Sequence, residues 1–301
     1  MVDGVNATGS APRVVVVTGA NSGIGLATAR RLLRGGDHVV MACRSLDRAN
    51  AAADRLRADD GTVPFDDALV VSRLDLSDPE SIRAFADEWS GRRLDVLVNN
   101  AGVMALDRST TPSGWETQVA TNHLGHFALT GLLLPALRRS SAPRVVTVSS
   151  LGHRAGRLRL DDLMYENRRY DRWGAYFQSK LANVMFAREF DRRAKAADHP
   201  VRSVGCHPGT ASTEIGKTGT SVANTIIRMF FPVVARSADR GAAAVHHACT
   251  ASITGGEFFG PRWLAFGSTR VEIPSRRARD GDAARRLWEM SEELTGVEYR
   301  W

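Results

Sequence analysis

Lysine is nearly missing from this chain. Of the 40 basic residues among 301, only Lys180, Lys195 and Lys217 are lysine, and the other 37 are arginine. Set among many alanines, these arginines read as a coding-sequence bias, so the net charge of +7 does not point to nucleic acid. They are scattered along helices in short clusters such as Arg276-Arg277-Ala278-Arg279, with no aromatic-rich RNA motif beside them. Cysteine is also scarce. Cys43, Cys206 and Cys249 are odd in number, widely spaced and without a Cys-x-x-Cys pair, which argues against a disulfide scaffold or zinc ribbon and suits a reducing cytoplasm. Apolar runs stay short of the roughly 18 residues that a membrane span needs. The first dozen residues lack a charged start followed by an apolar run, so no secretory signal is read and the sequon at Asn6 is moot. The expectation is a soluble cytoplasmic protein without a membrane span.

What is present alternates. Val14-Val15-Val16-Val17 is a β-branched run suited to a strand buried on both faces. A glycine turn and a helix to about Arg34 follow, then strands near 39–42, 68–74, 94–98, 144–149 and 201–206 and a last one near 257–259. Helical stretches separate them, among them 46–58, one opened by Asp78-Pro79-Glu80, 114–138, 173–197, 239–249 and 283–294. The pattern predicts an α/β fold: one Rossmann-type, doubly wound parallel sheet of about seven strands with helices on both faces. Residues 1–12 read as a disordered lead-in and 13–301 as one domain, with a cofactor half at about 13–150 and a catalytic and substrate half at about 150–301. The two long helices, 114–138 and 173–197, offer faces through which a homo-oligomer could form.

The ends of the strands carry the chemistry. Gly19-x-x-x-Gly23-x-Gly25 closes the first strand where a helix begins, and exposed N–H groups at a helix start suit a pyrophosphate. Its spacing differs from Gly-x-Gly-x-x-Gly. Where the second strand ends, the carboxylate that an NAD ribose wants is missing, and Arg44-Ser45 stands there instead. A guanidinium fork grips a 2′-phosphate, so NADP (NADPH) is expected over NAD. Asp75-Leu76 closes the third strand, placing a carboxylate for the adenine, and Asn99-Asn100-Ala101-Gly102 closes the fourth with small residues for a flat ligand. Tyr176 and Lys180, four apart, share one helix face. To act as a base near neutrality the phenol pKa must fall by about 3, worth about 4 kcal/mol. An ammonium at roughly 5 Å supplies about 3 kcal/mol at an effective dielectric near 20. The spacing alone proves little; the strands before it give it meaning.

Thr18-Gly19-x-x-x-Gly23-x-Gly25, Asn99-Asn100-Ala101-Gly102, Asn122, Ser149-Ser150, Tyr176-x-x-x-Lys180 and Pro208-Gly209 stand in the order seen in short-chain dehydrogenases/reductases. The resemblance covers roughly residues 13 to 295. Asn122-His123-Leu124-Gly125-His126-Phe127, Ser179-Lys180-Leu181-Ala182-Asn183 and His207-Pro208-Gly209-Thr210 resemble the retinol dehydrogenase and protochlorophyllide reductase group, where Ala42-Cys43-Arg44 accompanies NADP(H). The resemblance implies hydride transfer between nicotinamide and the carbonyl or alcohol of a small lipophilic substrate. It implies Tyr176 as general acid/base and Lys180 as the group that lowers its pKa and binds the ribose. It further implies Ser150 (with Ser149 as the alternative) as the holder of the substrate oxygen. By the same resemblance Asn122 sits in a distorted helix and holds a water, and Asn21, Ser22, Ile24, Pro208, Gly209 and Thr213 join the cofactor site. A light-dependent protochlorophyllide-type reductase and a non-catalytic NADP(H)-binding sensor are the alternatives. The 26 positions from Ser150 to Tyr176 hold an insertion in which Met164, Tyr165, Tyr170 and Trp173 could border substrate or merely pack. The apolar stretch 226–234 reads as lid, core or subunit contact. His123 with His126, and His246-His247 with Cys249, lack a tetrahedral set, and no metal is expected.

Overall fold

The computed structural model describes residues 12–59, 67–209, 238–263 and 267–301. The lead-in up to residue 11, Thr213 and the apolar stretch 226–234 lie outside the described residues. Eight strands form one sheet in the order β3-β2-β1-β4-β5-β6-β7-β8. These are β1 (Val14–Thr18), β2 (His38–Cys43), β3 (Leu69–Arg73), β4 (Val96–Asn99), β5 (Arg144–Val148), β6 (Arg202–Cys206), β7 (Phe258–Pro261) and β8 (Thr269–Val271). The first seven pair in parallel, as the β-branched runs foretell, and β8 adds an antiparallel edge to β7. That eighth strand is the one departure in strand count. It is three residues long, with exposed side chains at Arg270 and Val271, and carries no run a sequence reading would pick out.

Helices cover both faces. On one, α1 (Gly23–Arg34), α2 (Leu46–Asp59) and α8 (Ala238–Thr250) bury alanines, Leu32 and Leu33 against Val15, Val17, Val39 and Met41. On the other, α3 (Pro79–Asp87), α5 (Gly125–Leu132) and α7 (Arg172–Ala196) bury Ile82, Phe85, Phe127, Phe186 and Phe190 against Val16, Leu97 and Val145. Asp78 opens α3 as expected, its carboxylate accepting from Glu80 N–H with Pro79 next in line. A last helix, α9 (Gly281–Thr295), lies on α7. Its Trp288 and the tail residue Tyr299 meet Phe127 edge-on, each at a centroid distance of 5.0 Å, and Tyr299 donates to the Phe127 carbonyl.

The long helix expected over 114–138 is broken. Gly114 sits at φ +81° in a turn, and Glu116 then caps α4 (Thr117–Val119), its carboxylate accepting from Gln118 and Val119 N–H. A π-helical turn runs from Ala120 to Leu124 before α5, and Pro135 starts a separate short helix, α6 (Leu134–Leu137). Close approach explains Gly125: a Cβ there would overlap the Leu76 carbonyl, three residues past β3. Gly125→Ala should therefore lose roughly 1–3 kcal/mol of stability. Urea denaturation measures this, and an unchanged midpoint would show that the helix and strand have room to part.

Candidate active site

The carboxyl ends of β1, β2, β4, β5 and β6 open on a cavity of about 480 Å³, within the range of small-molecule sites. Gly19, at φ +65°, turns the chain out of β1, and a Cβ there would lie 2.9 Å from Ala101 Cα. A Cβ on Gly25 would lie 2.5 Å from both Gly19 O and Asn100 Nδ2. Only bare backbone fits, which brings β1, the start of α1 and the β4 turn together. Thr18 fastens them: Asn100 and Ala101 N–H both donate to its Oγ1 at 2.9 Å, and His126 Nε2 lies 2.9 Å from the same oxygen.

The cavity fits a dinucleotide. Ser22, Gly23, Ile24 and Gly25 line it at the start of α1, where Ser22 makes no side-chain capping bond and no acidic residue occupies the first turn. These N–H groups and the helix dipole are left for an anion. Asn21, Ala101 and Gly102 line the same space, as do Pro208 and Gly209 opposite. Arg44 and Ser45 line it at the end of β2, and so does Arg48, which the sequence reading missed. Arg48 follows Arg44 by four residues, and its N–H donates to Ser45 Oγ, a spacing that would have found it. Asp75 and Leu76 line it too, with Asp75 Oδ1 accepting from Ser77 N and Oγ. Asn99 is not on the cavity wall: it is fully buried and donates through Nδ2 to Thr130 Oγ1.

The acid/base candidates meet at the other end. Tyr176, on α7, is 8% exposed and lines the cavity with Ser150. Ser150 Oγ accepts from Gly152 N–H, whereas Ser149 donates its hydroxyl to the Lys180 carbonyl, binding α7 to β5. Lys180 is 5% exposed, and among the described residues its Nζ has one hydrogen-bond acceptor, Val148 O at 3.3 Å. Burial pushes this ammonium down to about 8. Two of its three donors remain for a ligand hydroxyl. Burial also pushes the Tyr176 phenol up, with the Ser150 hydroxyl opposing it, so desolvation works against the downward pull expected of Lys180.

Asn122 lies in the π-helical turn, fully buried behind the cavity. Its Oδ1 accepts from Val103 N–H, and its Nδ2 donates to Val103 O and Ser179 Oγ. Ser179 in turn donates to the Tyr176 carbonyl, so the side-chain amide braces the Tyr176 turn of α7. Its main-chain carbonyl lies 3.1 Å from His126 Nδ1. Of the insertion's aromatics and methionine, Trp173 lines the cavity beside Phe177, Val103 and Met104. Tyr170 instead donates to buried Glu116, Met164 Sδ accepts from Glu116 N–H, and Tyr165 packs under the Arg168 guanidinium at 3.7 Å. His123 and His126 are buried and held below the imidazole range, to about 3, by desolvation.

A family model described as short chain dehydrogenase matches residues 13–223, and the chain belongs to that family. It is an NAD(P)-dependent oxidoreductase acting on alcohol and carbonyl groups, and within the family it is retinol-dehydrogenase-like. Human retinol dehydrogenase 12 is 41% identical over 291 residues, 96% of this chain and 87% of that protein. Among solved structures, an uncharacterised protein from Mycobacterium paratuberculosis is 43% identical at a TM-score of 0.80, covering 96% of this chain and 95% of that one. RhlG of Pseudomonas aeruginosa, solved as an active-site complex with NADP, is 25% identical at a TM-score of 0.62, covering 82% of this chain and 93% of that one.

Lys180 gives a pH signature. Its folded pKa, about 8, lies below the ordinary 10.5, so in that window the unfolded chain binds more protons and stability rises with pH. The contribution should grow by about 2 kcal/mol between about pH 7.5 and 9.5. Denaturation of wild type and Lys180→Met across that range measures the difference, and parallel curves would contradict a buried ammonium.

Proposed function

We propose that the protein is an NADP(H)-dependent reductase or dehydrogenase of lipophilic carbonyls and alcohols, with Tyr176 as its general acid/base. The observation that carries this reading is that Tyr176, Ser150, Lys180 and the Gly19–Gly25 turn line one cavity. A nicotinamide bound there supplies or accepts the hydride. In the reducing direction Ser150 donates to the substrate oxygen and fixes its position. Tyr176 gives that oxygen its phenolic proton as negative charge develops on it. In the oxidising direction the ionised phenolate of Tyr176 takes the alcohol proton and becomes the phenol. Lys180 holds a positive charge behind the phenol and turns its two remaining N–H donors to the ribose hydroxyls. A water beside Lys180 and the Asn122 carbonyl returns the proton to solvent. Val103, Met104, Leu151, Trp173 and Phe177 wall the substrate side with apolar surface, which suits the kind of alcohol named by the retinol dehydrogenases it resembles.

For NADP(H), Arg44 and Arg48 would grip the 2′-phosphate from two sides, with Ser45 between them. The reading includes a reducing cytoplasm, in keeping with three cysteines that are all free and buried. It also includes a homo-oligomer, although α4–α5 and α7 are mostly buried within one chain and offer little free face for it.

Tyr176→Phe should lower turnover of NADPH with lipophilic aldehydes by roughly 100- to 10,000-fold while NADPH still binds. Undiminished turnover removes Tyr176 from the chemistry. Arg44→Ala combined with Arg48→Ala should raise KM for NADPH by about 10- to 100-fold and leave KM for NADH within about twofold. Equal losses for the two cofactors would contradict the phosphate-grip assignment.

A further inference from the structure

Behind the Pro208–Gly209 turn lies a buried pair that the chemistry above does not use. His207, just past β6, is fully buried. Gly209 N–H donates to its Nδ1 at 3.0 Å, and its Nε2 lies 3.2 Å from Glu272 Oε2, one residue beyond β8. A backbone N–H can only donate, so Nδ1 is the acceptor, and in a neutral imidazole the proton sits on Nε2. The charged and titratable groups around it agree. Burial holds His207 below the imidazole range against the pull of Glu272, and Arg154 Nη2 lies 3.4 Å from the same carboxylate oxygen.

Two further features show that the pair is built. A Cβ on Gly260 of β7 would overlap His207 Nε2 and lie 2.9 Å from Glu272 Oε1, so the ring and carboxylate meet only across a glycine. The Phe258 ring stacks on the imidazole at 5.5 Å and 29°, fixing its plane. His153, whose ring also meets Phe258, provides an internal contrast. Its Nε2 accepts from Ser275 N–H at 3.3 Å, and its Nδ1 lies 2.7 Å from the Ser150 carbonyl, so it carries its proton on Nδ1.

We propose that Glu272 is a positioning residue: it holds His207 in the Nε2–H tautomer and thereby fixes Gly209 N–H and the Pro208–Gly209 turn against the cofactor. The proposal rests on the cofactor reading given above. Without the carboxylate, Nε2–H is a buried donor with no acceptor. Moving the proton to Nδ1 relieves that but sets two donors, Nδ1–H and Gly209 N–H, against each other, and the turn must shift.

The test is to titrate NADPH into the full-length, 15N-histidine-labelled protein and record imidazole 15N–1H spectra, for wild type, Glu272→Leu, Glu272→Gln and Gly260→Ala. Wild type should show His207 as Nε2–H and His153 as Nδ1–H. Glu272→Leu should move His207 alone towards Nδ1–H and weaken NADPH about tenfold. Glu272→Gln, whose amide oxygen still accepts, should recover both to within about threefold. Gly260→Ala leaves every polar group but separates the pair, and should repeat the leucine effect; it carries the test if Glu272→Leu does not fold. An unmoved His207 tautomer, or a moved tautomer with unweakened NADPH, overturns the proposal. A wild type that takes no NADPH refutes the cofactor reading and the proposal with it, and the wild-type titration identifies that case.

Discussion

The site depends on an ammonium kept out of water. Lys180 reaches the cavity through the core, and the protein gives its Nζ a single carbonyl, that of Val148, among the described residues. A cation so placed is costly until a ligand supplies oxygen atoms or charge. That cost explains why the surroundings are so fully bonded. Ser149 ties the Lys180 carbonyl to β5, Asn183 donates to the same Val148 carbonyl, and Asn122 with Ser179 braces the turn that carries Tyr176. A partly satisfied network here would let α7 drift from the strand ends, so nearly every polar atom around the lysine has a protein partner, and the lysine keeps donors to spare.

The same logic extends backwards from the cavity. Thr18, His126 and Asn122 link the glycine turn to the π-helical turn, and His207 with Glu272 links the opposite wall to the sheet edge. Neutral buried histidines suit this work, because each ring joins one donor to one acceptor and burial keeps it from charging. The candidate cofactor residues stand at the strand ends and Tyr176 and Lys180 on α7, with the buried histidines behind them.

Much of this was legible in the chain. Val14–Val17 announced a doubly covered strand, Asp78-Pro79 a helix start, and the glycine spacing a turn where bare backbone packs closely. Tyr176, Lys180 and Ser150 were found through motif order, and the structure brings their side chains to one cavity. Arg48 was overlooked though its spacing from Arg44 was plain. The π-helical turn was out of reach of periodicity, which does not separate it from an α-helix over five residues. Glu272 gave no signal at all, since it meets a histidine 65 positions away only after an antiparallel edge strand has formed. Burial, which motif spacing does not reveal, acts on the two groups in opposite directions, raising the Tyr176 phenol and lowering the Lys180 ammonium.

The central claim is that this cavity joins a hydride and the Tyr176 proton across one carbonyl. The most direct measurement is transfer of label from NADPH deuterated at the nicotinamide C4 to a panel of long-chain and polyene aldehydes, with the product alcohols examined by mass spectrometry and NMR. The account predicts one deuterium on the former carbonyl carbon of at least one apolar aldehyde, with slower turnover for the labelled cofactor. Alcohol formed without deuterium on that carbon, or bound NADPH that yields no alcohol from any aldehyde, would contradict it.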